Sequence, residues 1–125
     1  MDLYSELILD HYQEPHNATI PADADVVVRE LNTSCGDAIE LGLKLNESGR
    51  IEKIGFTGGG CAISQAAASM LTDELMGMTT EQVQSLDAEY INKLLGVIIG
   101  PGRVKCALLS LTAAKKAVTI AKHKE

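Results

Sequence analysis

The residues with the most chemistry to offer are three cysteines and one aspartate. Cys35 and Asp37 share the stretch "NTSCGDAIE", Cys61 closes "FTGGGC", and Cys106 lies in "PGRVKCALL". Three thiolates and a carboxylate make four ligands, the number that closes a tetrahedral zinc site. Soft sulfur suits iron–sulfur species equally well. Against this stands the plain alternative that a cysteine packs as a small hydrophobe. That alternative weighs most for Cys106, which adjoins the apolar stripe of a helix. Asp37 is the odd ligand, because a hard oxygen matches zinc or iron less well than thiolate and should exchange most readily.

The elements around these residues must bring them together. Leu3 to Tyr12 reads as a short amphipathic helix behind Asp2 as a candidate cap, and "QEPHNATIPADAD" as an irregular arm. "VVVREL" is rich in β-branched residues. "AIELGLKLN" alternates Ile39, Leu41, Leu43 and Leu45 with polar or small residues, the pattern of a half-buried strand. "NESG" reads as a hairpin connection to a third strand, "RIEKIGFT". Strands in such close succession pair antiparallel. The loop entering the second strand then shares a sheet edge with the end of the third, so topology alone makes Cys35 and Cys61 neighbours.

Beyond Cys61 the pattern becomes helical. "ISQAAASMLTDELMG" ends on Gly77 as a glycine-capped helix does. Thr79 and Gln82 have the spacing of a capping box, Asp87 caps a further helix through Leu95, and a last helix runs from about Val104. Strands first and helices after them predict an α+β fold: a short antiparallel three-stranded sheet with helices packed on one face. Residues 1–125 read as a single domain. The helix starting after Cys61 points its unpaired N–H groups at the sulfur, which favours thiolate, makes Cys61 the most acidic of the three thiols and makes it a candidate to accept sulfur. Gly58, Gly59 and Gly60 would let backbone amides close on sulfur or sulfide at Cys61 without a Cβ in the way.

Composition narrows the function classes. A net charge of −6 argues against nucleic acid. The longest apolar run, "LLGVIIG", falls far short of the roughly 20 residues of a membrane span. The acidic opening "MDLYSELILD" is unlike an export signal, so a cytoplasmic protein with reduced thiols is expected. A surface or structural role fits His11, His16 and His123 better than ligation. No histidine is close in sequence to a cysteine, which disfavours a Cys–His hydrolase. A purely structural zinc domain would more usually use cysteine and histidine alone.

In their order along the chain, "LYSELILDHYQEPHN", the "CGD" loop, "FTGGGCAIS" with "AAASM", and "RVKCALL" resemble the IscU/SufU-type iron–sulfur cluster assembly scaffolds, the NifU N-terminal-like family. The resemblance covers nearly the whole chain. It implies an α+β fold and a site of Cys35, Asp37, Cys61 and Cys106 that holds zinc or a nascent [2Fe–2S] cluster. It also implies a cysteine desulfurase as sulfur donor, with Cys35 or Cys106 as acceptor, and transfer of the cluster to acceptor proteins. The alternative it implies is a zinc-dependent relay that passes persulfide sulfur on without holding a cluster.

Three departures qualify the likeness. Lys105 stands where many members have histidine, as in the SufU-type branch. Cys61 and Cys106 are as close in sequence as in the compact IscU type. The chaperone-recognised "Leu-Pro-Pro-Val-Lys" segment appears here as Ile99-Gly100-Pro101-Gly102-Arg103, which argues against chaperone-driven release. Arg103 and Lys105 would offset the net −2 charge of three thiolates, a carboxylate and Zn²⁺, and Lys105 would help keep Cys106 ionised.

Overall fold

Ile39, Leu41, Leu43 and Leu45 are all buried along one strand and therefore face one side of a sheet. The computed structural model describes residues 3–32, 36–96 and 103–124. Cys35, Asp2 and the segment 99–102 lie outside the described residues. The described elements run α1 (Leu3–Gln13), β1 (Val26–Asn32), β2 (Asp37–Leu45), β3 (Ile51–Gly59), α2 (Ala62–Leu75), α3 (Thr80–Gln84), α4 (Ala88–Leu95) and α5 (Val104–Lys124). The sheet order is β1-β2-β3, antiparallel throughout. This is the expected α+β architecture.

The core phase of β3 changes part-way: Ile51 is buried, and then Ile54 and Phe56. The cause is a bulge. Lys44 pairs with Lys53 while Leu45 pairs with Ile51, so Glu52 is an extra residue that resets the alternation. Helix α5 packs across β1 and β2, and α2 packs against β3, α5 and α1. With few aromatic residues, close approach replaces bulk: Ala66, Ala67 and Ala68 of α2 and Ala113, Ala114 and Ala117 of α5 are fully buried.

The caps follow the expected chemistry. The Thr79 hydroxyl accepts from Gln82 N at 3.1 Å, and Gln82 Oε1 accepts from Thr79 N at 2.8 Å. Asp87 Oδ1 accepts from Tyr90 N at 3.0 Å.

The arm between α1 and β1 lies over the sheet face that the helices leave open. Gly42 and Gly55 are cross-strand neighbours, and a Cβ on them would stand 2.7 Å from Ile20 Cγ2 and 1.9 Å from the Thr19 carbonyl oxygen, respectively. The two glycines therefore form the groove in which the arm rests. Asp23 of the arm bridges Lys44 and Lys53, which would otherwise oppose each other as like charges. No helix among the described residues is long and apolar enough to cross a membrane.

Candidate metal centre

Three elements begin or end at one corner of the fold. Asp37 opens β2, Cys61 is the N-cap of the 14-residue α2, and Cys106 lies in the first turn of α5. Packing of α5 across the sheet and of α2 against α5 carries these starting points together. One oxygen of Asp37 and the sulfurs of Cys61 and Cys106 all lie within 4.8 Å of one another. A tetrahedral ion with bonds of about 2.0–2.3 Å holds its donors roughly 3.3–3.8 Å apart. Small side-chain adjustments close the described set onto such an ion. The fourth expected ligand, Cys35, is outside the described residues, two positions before Asp37.

Asp37 is 1% exposed and fixed from the Cys61 side. Cys61 N donates to Asp37 Oδ1 at 2.9 Å, and the Cys61 thiol faces Asp37 Oδ2 at 3.8 Å. The glycine run now has a specific reason. Gly60 has φ of +147°, and a Cβ there would stand 2.2 Å from Asp37 Oδ1. The close approach is thus to the carboxylate, where the sequence had suggested sulfur. Gly58 is closed in by the Ala38 carbonyl of the neighbouring strand, whereas Gly59 faces open space.

Burial pushes the Cys61 thiol up, and the Asp37 charge adds to that. The backbone N–H and hydroxyl of Ser64 and the Cys106 thiol outweigh both, so the Cys61 pKa lies below its ordinary value. Its place at the N-terminus of α2 is consistent with the same direction. Cys106 is fully buried. It is not lost in an apolar interior, because Asn32 Nδ2 donates to its sulfur at 3.6 Å.

Arg103 and Lys105 are both exposed at the start of α5. Lys105 borders a cleft of about 240 Å³ whose lining includes Asn32 and Glu30. The histidines lie elsewhere. His11 Nδ1 meets Ser69 Oγ at 2.6 Å, and His16 Nδ1 meets Asp73 Oδ2 at 2.6 Å, both on α2. They pin α1 and the arm to α2. His123 is exposed near the end of α5.

Sequence reading missed Asn32 and Ser64. A signal for Asn32 was present: Val26, Val28 and Asn32 share the inward phase of β1, so a polar residue points where core is due. Ser64, three residues into the helix that Cys61 caps, had no such signal.

Two soft sulfurs and a buried carboxylate, cradled where a Cβ at Gly60 would intrude, fit a thiophilic divalent metal. Residues 3–125 match the NifU-like N-terminal domain. The chain is 37% identical to the zinc-dependent sulfurtransferase SufU of Bacillus subtilis, over 93% of this chain and 89% of that protein. It is 33% identical to the iron–sulfur cluster assembly scaffold protein IscU of Azotobacter vinelandii, over 98% and 96%. A crystal structure from Fervidobacterium islandicum AW-1, described as a candidate iron–sulfur cluster assembly scaffold for the SUF system, superposes with a TM-score of 0.76. That match is at 28% identity and covers 92% of this chain and 96% of that one. With a match from residue 3 to residue 125 and relatives aligned across most of their own length, the chain belongs to the NifU-like N-terminal domain family.

Proposed function

We propose that this chain is an iron–sulfur cluster assembly scaffold that accepts sulfur from a cysteine desulfurase, gathers it with iron into a nascent [2Fe–2S] cluster, and passes the cluster to acceptor proteins. The observation that carries the reading is the convergence of Asp37, Cys61 and Cys106 on one corner of the fold in a member of this family. Cys35 joins them as the fourth ligand in this proposal, which makes the role that of a carrier and not of an enzyme with turnover of its own. Neither nucleic acid nor a membrane is proposed as a partner.

The chemistry assigns each residue a task. A thiolate of the centre attacks the outer sulfur of the desulfurase persulfide; an S–S bond forms on this chain as the donor's S–S bond breaks, and the donor cysteine leaves as thiolate with no net redox change. Entry of that sulfur into a cluster as sulfide takes two further electrons, which an external reductant (a dithiol or a one-electron carrier acting twice) supplies as the persulfide S–S bond breaks and the cysteine returns to thiolate. Hydrogen bonding that lowers the Cys61 pKa keeps one thiol close to its reactive form. Zinc, when held by these ligands, screens the mutual repulsion of the thiolates. Arg103 and Lys105 contribute positive charge at the start of α5. The Asp37 oxygen, a poor match in softness to iron, is the ligand most readily given up on release.

A zinc-dependent sulfur relay is the second reading, supported by the 37% identity to the Bacillus subtilis sulfurtransferase. Anaerobic reconstitution with ferrous iron and sulfide, run beside desulfurase stimulation by the zinc form, separates the two. A stable visible chromophore transferable to an apoprotein is expected. Strong desulfurase stimulation with no chromophore overturns the scaffold in favour of the relay. In the reconstituted protein Asp37→Ala is expected to slow decay of the chromophore; equal or faster decay removes Asp37 as the release ligand.

A further inference from the structure

Asn32 closes β1 and is only 7% exposed. It occupies the strand phase that otherwise carries Val26 and Val28 into the core. A buried amide in an apolar phase is costly unless its polar atoms find partners. Its Nδ2 donates to Cys106 Sγ at 3.6 Å, and in the β1–β2 ladder its register partner is Asp37. Asn32 thus reaches one of the three described donors with its side chain and stands across the ladder from a second, on a strand that contributes no described donor itself.

We infer that Asn32 is a positioning residue of the centre: its side-chain N–H orients the Cys106 sulfur and takes up part of the negative charge of that sulfur when it is bound to a metal. This rests on the proposed reading of the corner as a metal centre. The physical case is one of charge. Three thiolates and a carboxylate around a divalent ion leave a net −2 in a mostly buried corner, where uncompensated charge is expensive. A neutral amide supplies a fixed dipole there without the desolvation cost of a buried cation. Donors to metal-bound sulfur also reduce its electron donation, which tunes both metal affinity and cluster potential.

Zinc and cobalt(II) are the probes, with wild type, Asn32→Leu (apolar, similar size) and Asn32→Asp (same shape, no donor). Zinc affinity by chelator competition should fall roughly 10–100-fold in Asn32→Leu and further in Asn32→Asp. The near-ultraviolet thiolate-to-cobalt band should move to longer wavelength as the sulfur becomes a better donor, a change that looser packing alone does not produce. Because either variant could fold poorly, the wild-type protein loaded with ¹¹³Cd is measured too: a through-bond coupling from the Asn32 side-chain amide protons to cadmium is expected. Variant affinities within twofold of wild type, an unmoved cobalt band, or no such coupling each overturn the inference while leaving the metal centre standing. A wild-type chain that binds none of these ions overturns the metal reading and this inference with it.

Discussion

Two polar regions of this molecule are built from opposite materials. At the corner where β2, α2 and α5 begin, two thiols and a carboxylate face one another: Asn32 Nδ2 donates to Cys106 Sγ at 3.6 Å, the Cys61 thiol faces Asp37 Oδ2 at 3.8 Å, and Cys61 N donates to Asp37 Oδ1 at 2.9 Å. Where the arm crosses α2, contacts are short and dense. His11 and the His16 backbone both meet Ser69 Oγ, His16 meets Asp73, and Asn17 Nδ2 donates to Thr72 Oγ1 at 2.9 Å and Asp73 Oδ1 at 2.8 Å. The arm region satisfies itself and therefore holds structure together. The corner instead gathers two sulfurs and a carboxylate oxygen within 4.8 Å of one another, a donor set that could hold a metal ion.

The contrast can be broken from either side. The largest effect is expected from Cys106→Ser or Cys61→Ser, each of which should lower zinc affinity by at least about 100-fold in chelator competition, with little change in the unfolding of the metal-free chain. Unchanged zinc content in either variant removes that residue from the centre. Next comes Gly60→Ala. Its Cβ would collide with Asp37 Oδ1 at a φ of +147°, so a loss of about 1–3 kcal/mol of stability is expected. Zinc affinity should fall about tenfold as the carboxylate is displaced, and calorimetry with and without zinc reads both.

Asn17→Ala sharpens the comparison from the arm side. It removes two described side-chain hydrogen bonds at a residue with φ of 57°. A cost of about 1–2 kcal/mol in urea unfolding is expected, with zinc affinity within twofold of wild type. The smallest effect concerns pH. Burial holds the His11 pKa below its usual value, with the positive charge of His16 in the same direction and Asp73 and Asp10 opposing. A depressed histidine pKa means that the unfolded chain binds the proton more readily. The stability from His11 is therefore present above about pH 6.5 and lost as pH falls through its folded value. The melting temperature should decline on acidification across that window, and His11→Gln should flatten the decline; identical slopes would show that His11 does not titrate with unfolding.

Much of this was legible beforehand because local periodicity carries local structure. The alternation of Ile39, Leu41, Leu43 and Leu45 marked β2, and Thr79, Gln82 and Asp87 marked helix starts as hydrogen-bonding caps. Other features left no local trace. The Gly42–Gly55 groove depends on an arm many residues away lying across two strands. The Glu52 bulge depends on how β3 pairs with its neighbour. The work of Gly60 was misattributed to sulfur because the Asp37 carboxylate that fills its Cβ space comes from another strand.

The amino-acid sequence by itself determined the kinds of donor atoms available and the element boundary at which each one sits, since residue chemistry, alternation and capping act over a few positions. Only tertiary structure decided that the Cys106 sulfur meets Cys61 and Asp37, and that Asn32 stands beside it. Those approaches depend on α5 packing across β1 and β2, the outcome of burying one helix stripe against distant strands, which no local pattern encodes.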